Sequence, residues 1–257
     1  MRHTTTLDLA SPPTGDPTAD ADRPVLTYYD DATGERTELT WAALGDWAAR
    51  TAALLREGCG LSAGDRAAVL LPPHWQTAAV LLGAWSVGVT VSYRPWATAG
   101  LPSLEPGGEE PLEAVFVSRR RLDSWLETVP RARHRFVLGL APDAAPLDEV
   151  PADYRDYLAE VRRYPGTPPA YETIRPTDPA SPDGTSYEQW ATIAQDIAAS
   201  LDLHQGARVL VDAARQEQPV VWLLAPLVAG ASIVLCANLD REHLDARIAA
   251  EGVTHLF

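Results

Sequence analysis

Six histidines, two cysteines and a run of arginines are the residues best equipped for chemistry, and their spacing argues against most of it. The histidines stand at 3, 74, 134, 204, 243 and 255, with no His-x-His or His-Glu-x-x-His spacing to put two imidazoles on one ion. They read as ordinary surface or core side chains, and no metal site is expected. Cys59 and Cys236 are too few and too distant for a disulfide framework, and neither has the setting of a reactive thiolate. No Gly-x-Ser-x-Gly elbow occurs. All 21 basic residues are arginine, so no Schiff base, phosphate-loop lysine or catalytic ammonium group can come from this sequence. Arg119-Arg120-Arg121 and "RARHR" at 131–135 offer anion-binding chemistry, for instance toward a CoA phosphate. The plainer reading is preferred: a solvated helix face offset by Glu109, Glu110 and Glu113. No catalytic residue is assigned.

Composition narrows the class of partner. A net charge of −14 gives neither nucleic acid nor an anionic membrane the positive field it needs. Apolar runs such as 78–91 are too short for a membrane span, and the first residues lack the apolar stretch of a secretory signal. A cytoplasmic protein is expected. With 257 residues and 46% hydrophobic content the chain can bury a full-size core. Residues 1–22, rich in Pro, Thr and Asp, read as a disordered tail.

The elements that would position any site come as a repeat. In the first unit Trp41, Leu44, Ala48, Ala52 and Leu55 keep helical spacing behind Thr40, a good N-cap. A turn at Gly64 leads to a strand over 66–71, Pro72 and Pro73 break it, and an apolar helix over 75–87 ends at Gly88 before a strand over 89–92. His74-Trp75 opens that helix, where core packing is favoured over ligand stacking. In the second unit Ser186 with Gln189, or Thr185 with Glu188, fits a capping box. Trp190, Ile193, Ala194, Ile197 and Leu201 form the buried stripe, followed by Gly206, a strand over 207–211, an apolar helix over 219–229 carrying Trp222, Gly230, and a strand over 231–235. Gly64 to Gly88 and Gly206 to Gly230 are both separated by 24 positions, and Arg66 and Arg208 each follow their turn glycine by two. Between the units, strands are expected over 114–118 and 135–140, with helices over 119–128 and 153–163. The end of the sequence reads as a helix from Asp240, a stop at Gly252 and a last strand.

Strands alternating with helices imply parallel sheets covered on both faces. The expected fold is α/β: two packed, mostly parallel sheets with flanking helices, formed by pseudo-repeated βαβ units. One domain over 23–257 is expected, with sub-sheet one at 23–163, a proline-rich connector at 164–184 and sub-sheet two at 185–257.

Specific residues carry a family resemblance. Leu39-Thr40-Trp41, Gly64-Asp65-Arg66, Gly88 and Arg94-Pro95 resemble the opening of adenylate-forming enzymes: acyl-CoA synthetases, luciferases and peptide-synthetase adenylation domains. "LLAPLVAGASIVL" and "DREHLDARIAAEGVTHL" look like the second sheet of their N-terminal domain, and "LLPPHWQTAAVLLGAW" is similar to a group of short, truncated acyl-CoA-synthetase-like proteins. The resemblance covers about 24–257, the front half of that domain, and implies its two side-by-side sheets.

The resemblance also implies what is missing. In active relatives a Ser/Thr/Gly-rich loop ending in Pro-Lys-Gly precedes the helix that begins here near Tyr187. Its glycines, backbone N–H groups and lysine hold phosphates. Here the place reads "TDPASPDGTSYEQW", where only Gly184, Thr185 and Ser186 offer any of that chemistry, Asp178 and Asp183 would repel a triphosphate, and Arg175 is the nearest cation. "VDAARQEQPVVW" puts Gln216 or a neighbour where relatives carry a His or an aromatic. The adenine-binding segment, the ribose-binding Asp and the C-terminal domain would lie beyond Phe257. The leading expectation is therefore a non-catalytic pseudoenzyme serving protein contact, with a protein partner or a second copy of itself and with no cofactor. One alternative is a ligand-binding module that retains an acyl, CoA or ATP/AMP pocket at Gly184, Thr185 and Ser186. The other is one half of a split enzyme.

Overall fold

The computed structural model describes residues 23–99, 101, 112–167 and 173–257; the tail expected over 1–22, like Glu109 and Glu110, lies outside them. The chain opens with a hairpin, β1 (Leu26–Asp30) and β2 (Glu35–Leu39), then α1 (Trp41–Ala53), β3 (Arg66–Leu70), α2 (Trp75–Ser86) and β4 (Thr90–Tyr93). The middle stretch supplies β5 (Leu112–Ser118), α3 (Arg119–Leu122), β6 (Ala132–Leu138), β7 (Arg155–Asp156) and α4 (Tyr157–Val161). The second unit holds α5 (Tyr187–Ser200), β8 (Arg208–Asp212), α6 (Ala225–Val228), β9 (Ser232–Ala237), α7 (Leu244–Glu251) and β10 (His255–Leu256).

Two five-stranded sheets result, ordered β4-β3-β5-β6-β7 and β10-β8-β9-β1-β2. All pairings are parallel except β1 with β2. The two-sheet α/β fold expected from the sequence is the fold found. Both faces of each sheet are covered, as a parallel sheet requires. Ala67 and Val69 of β3 join the large central core, while Ala68 and Leu70 face the other way into a second cluster. Likewise Leu210 and Val234 pack under Leu244 and Ile248 of α7.

The repeat is visible bond by bond. Gly64 N–H donates to Gly88 O at 2.9 Å, and Gly206 N–H donates to Gly230 O at 3.1 Å. All four glycines have positive φ, a conformation that side-chain-bearing residues resist. The registers match as well, Arg66 lying opposite Thr90 and Arg208 opposite Ser232. In the first unit all twelve residues of α2 are buried. A Cβ on Gly83 would lie 2.6 Å from the Thr51 Cβ and 2.7 Å from Ala48 O, so glycine sets how closely α1 and α2 cross.

Several boundaries differ from expectation for physical reasons. The grouping of 23–163 as one sheet is corrected: β1 lies beside β9, with Leu26 opposite Ile233, so the hairpin extends the second sheet. The helix expected over 119–128 stops at Leu122, because the Arg121 side chain turns inward to the carbonyls of Arg94 and Pro95. That over 153–163 shrinks to Tyr157–Val161, capped by Asp156, which accepts from Ala159 N–H at 2.7 Å. The apolar stretch over 219–229 divides into a wider π-type turn, Val220–Leu224, and α6. Pro226 has no N–H to give an α-helical ladder there. The C-terminal helix begins at Leu244, four residues later than expected. Among the described residues no helix is long and apolar enough to cross a membrane.

Candidate functional site

The loop before α5 is built from short-range bonds that engage most of its amides. Ala180 and Ser181 N–H both donate to Thr185 O, at 2.9 and 3.3 Å, and Gly184 N–H donates to Ser181 O at 3.0 Å. Asp183 Oδ1 accepts from Thr185 N–H at 3.0 Å and from the Ser181 hydroxyl at 2.6 Å. The Ser181 hydroxyl, with help from Thr185, holds the Asp183 carboxyl below its ordinary range. A carboxylate thus stands among the donors that a phosphate would need.

The helix end behind the loop is equally committed. Ser186 and Gln189 form the reciprocal capping box expected from their spacing, whereas Thr185 and Glu188 do not. Tyr187 N–H donates to Asp178 O and Glu188 N–H to Pro176 O, at 3.2 and 2.9 Å. Those are the orphan donors that make a helix N-terminus an anion site, and the chain itself occupies them. Arg175, the nearest cation, is paired with Asp178 at 3.2 Å, and Asp178 also accepts from Arg175 N–H at 2.8 Å. Of the three candidate ligand residues, Gly184 is exposed with φ +86° and open space around its Cβ position. Thr185 is half-buried, and Ser186 is buried with its hydroxyl on Gln189 N–H.

This loop also holds the two units together. Val91 N–H donates to Ala180 O at 2.9 Å, Trp85 Nε1–H to Ala180 O at 3.3 Å and the Tyr187 hydroxyl to Trp85 O at 2.9 Å. The connector thereby closes the β4 edge of the first sheet. Because only φ opposes a side chain at Gly184, Gly184→Ala should cost about 1–2 kcal/mol and lower the urea midpoint without changing the slope.

The loops that follow β4 and β8 meet at the carboxyl ends of those strands, where open α/β sheets place ligands. Gln216, expected where relatives carry a His or an aromatic, is half-buried, with its N–H on Asp212 O at 3.0 Å. Its neighbour Glu217 joins the two loops, accepting from the backbone N–H groups of Trp96 and Ala97. No spacing rule points to Glu217, since its partners lie about 120 residues away. Nearby Tyr93, half-buried, donates to Leu71 O at 2.9 Å, and the burial of its hydroxyl end holds that group well above its ordinary range.

The remaining candidates serve packing. His74 Nδ1 accepts from Gln76 N–H at 3.0 Å, and burial pushes its pKa down to about 3, so it stays neutral. Trp75 and Trp222 are buried in the same core. Burial raises both thiols, Cys236 to about 11, which keeps them protonated. The arginine run is not the uniformly solvated face expected. Arg119 is paired with Asp123 at 2.9 Å, but Arg121 is buried against Glu127.

Comparison with known proteins agrees with the fold. The AMP-binding enzyme family model matches residues 16–97, the hairpin and first βαβ unit. A Mycobacterium tuberculosis protein described as a TIGR03089 family protein is 38% identical over 245 residues, covering 93% of each chain. This chain belongs to the TIGR03089 family. Among solved structures, the acetoacetyl-CoA synthetase of Streptomyces lividans matches with a TM-score of 0.67 at 19% identity, over 91% of this chain and 40% of that one. A Brucella canis acyl-CoA synthetase matches with the same TM-score at 22% identity, over 93% of this chain and 45% of that one. At such identities the likeness is one of fold. The chain spans less than half the length of these two enzymes.

Proposed function

We propose that this TIGR03089 family member is a non-catalytic relative of the adenylate-forming enzymes that works through protein contact. The observation carrying this reading is the closed loop before α5, where the N–H groups of 178, 180, 181 and 184–186 are taken up by Asp183, Gln189 and the loop's own carbonyls. Two further facts support it: there is no lysine among the 257 residues, and Arg175, the cation nearest in sequence, is paired with Asp178. A triphosphate entering here would have to break several backbone bonds and face two carboxylates, each step unfavourable. Cys59 and Cys236 are free thiols, which supports a reducing, cytoplasmic setting.

Calorimetry of the chain with Mg-ATP and with AMP tests the reading. No saturable heat is expected up to about 1 mM ligand. Micromolar binding overturns the proposal. If that binding is lost in Thr185→Ala/Ser186→Ala, the loop is a working ligand site after all.

A further inference from the structure

We infer that the carboxyl end of the first sheet, around α3, is the face on which two copies of this chain associate. The inference deepens the protein-contact reading by naming the surface and its occupant. Among the described residues seven large apolar side chains are exposed, and five of them, Trp96, Leu101, Trp125, Leu126 and Val150, belong to segments tied to α3. The Arg120 guanidinium lies over the Trp96 ring at 5.5 Å. Arg121 reaches the carbonyls of Arg94 and Pro95 and pairs with Glu127, next to Leu126. Arg119 donates to Glu149 O at 3.2 Å, next to Val150, and Leu101 N–H returns to Thr98 O at 3.1 Å.

Trp125 is 90% exposed and Trp96 41%, unusual for residues that each carry about 150–250 Å² of surface. Together the five side chains expose on the order of 600 Å² around α3, a sum comparable with the largest apolar area that monomers leave bare. With a polar rim that approaches the roughly 800 Å² per partner of a standard interface. Tryptophan and arginine are also the side chains that dominate binding energy in such interfaces.

Charge selects a second copy as the occupant. A chain of net charge −14 repels itself over most of its surface, and α3 with its three consecutive arginines is a place where that repulsion is relieved. Arg120 is exposed, and no carboxylate among the described residues pairs with it. Asp123, one turn on, carries the opposite sign; its carboxylate accepts from Arg119 Nε–H at 2.9 Å and is still 57% exposed at its side chain, open to a further donor. A two-fold axis through this face can therefore set Arg120 of one copy against Asp123 of the other around the tryptophans, as a self-complementary interface requires.

Native mass spectrometry and light scattering of the chain from about 1 to 100 µM test this. A dimer is expected, with at least a ten-fold weaker association in Trp125→Ser and in Leu126→Ser. Both residues are exposed, so melting of the variants should match the parent. Arg120→Glu should weaken the dimer as well, and Ile193→Ser, an exposed apolar residue on α5, should leave it intact. A parent that stays monomeric at 100 µM overturns the inference, and so does a dimer indifferent to both Trp125→Ser and Leu126→Ser. Neither result bears on nucleotide binding, so this inference and the non-catalytic reading fail separately.

Discussion

Glu251→Ala should destabilise the chain by about 3–5 kcal/mol, the range for removing one member of a buried ion pair. Glu251 ends α7 with its side chain 8% exposed, paired with Arg208, whose side chain is 5% exposed. The same carboxylate accepts from the Tyr29 hydroxyl at 2.5 Å and from Arg36 at 3.1 Å. Arg208 also donates to Thr27 Oγ1 at 2.9 Å and Ser232 Oγ at 3.2 Å. Removing the carboxylate leaves a guanidinium buried beneath α7 with only neutral partners, which is why the cost exceeds that of a surface pair. Urea denaturation reads it as a lowered midpoint. Arg208→Leu/Glu251→Leu should recover much of the loss, because two apolar side chains leave no charge unpaired. The pair also predicts acid sensitivity. Burial pushes the Glu251 carboxyl up, but the hydrogen bonds from Tyr29, Arg208 and Arg36 outweigh it and hold the group below its ordinary value. A depressed folded-state pKa contributes stability above the unfolded value, about 4.5, which is lost as the pH falls through the folded one. The stability gap between the parent and Glu251→Gln should therefore narrow below about pH 4.5.

What was legible in the sequence was local. Turn glycines, the Thr40 cap and the Ser186/Gln189 box act within a few residues, so the repeat and its strands could be read directly. The β1–β2 hairpin could not be assigned to its sheet, because Leu26 meets Ile233 only when the chain has closed over some two hundred positions. The short α3 was hidden for a similar reason. "RRRLDSWLET" has a helical pattern, and it is the tertiary demand on Arg121 that ends the helix. At the candidate site the sequence names the residue types and marks Asp183 as hostile to phosphate. That Asp183 accepts the loop's own N–H, and that Asp178 uses up Arg175, depends on a fold of the loop that its prolines and aspartates do not announce. Glu217 lay outside any pattern, since what it caps belongs to the other unit.

Arg121→Met should cost about 3–5 kcal/mol, and it has a consequence that Glu251→Ala lacks. Arg121 and Glu127 are 2% and 5% exposed at their side chains. Arg121→Met strips Glu127 of its buried counter-charge and removes the guanidinium bonds to the carbonyls of Arg94 and Pro95, leaving Pro95 O with the Thr98 N–H and hydroxyl. Those carbonyls position Trp96, and Glu127 positions Leu126. The variant should therefore lose both stability, read by urea midpoint, and association, read by light scattering well below its melting temperature. Arg121→Met/Glu127→Leu separates the two effects. Without an unpaired charge it should regain much of the stability, yet the 94–98 segment, held by Glu217 at Trp96 and Ala97, still lacks the Arg121 bonds at its start, so association stays weak. Recovery of both together would mean that Arg121 supports the fold alone and has no part in presenting the tryptophans.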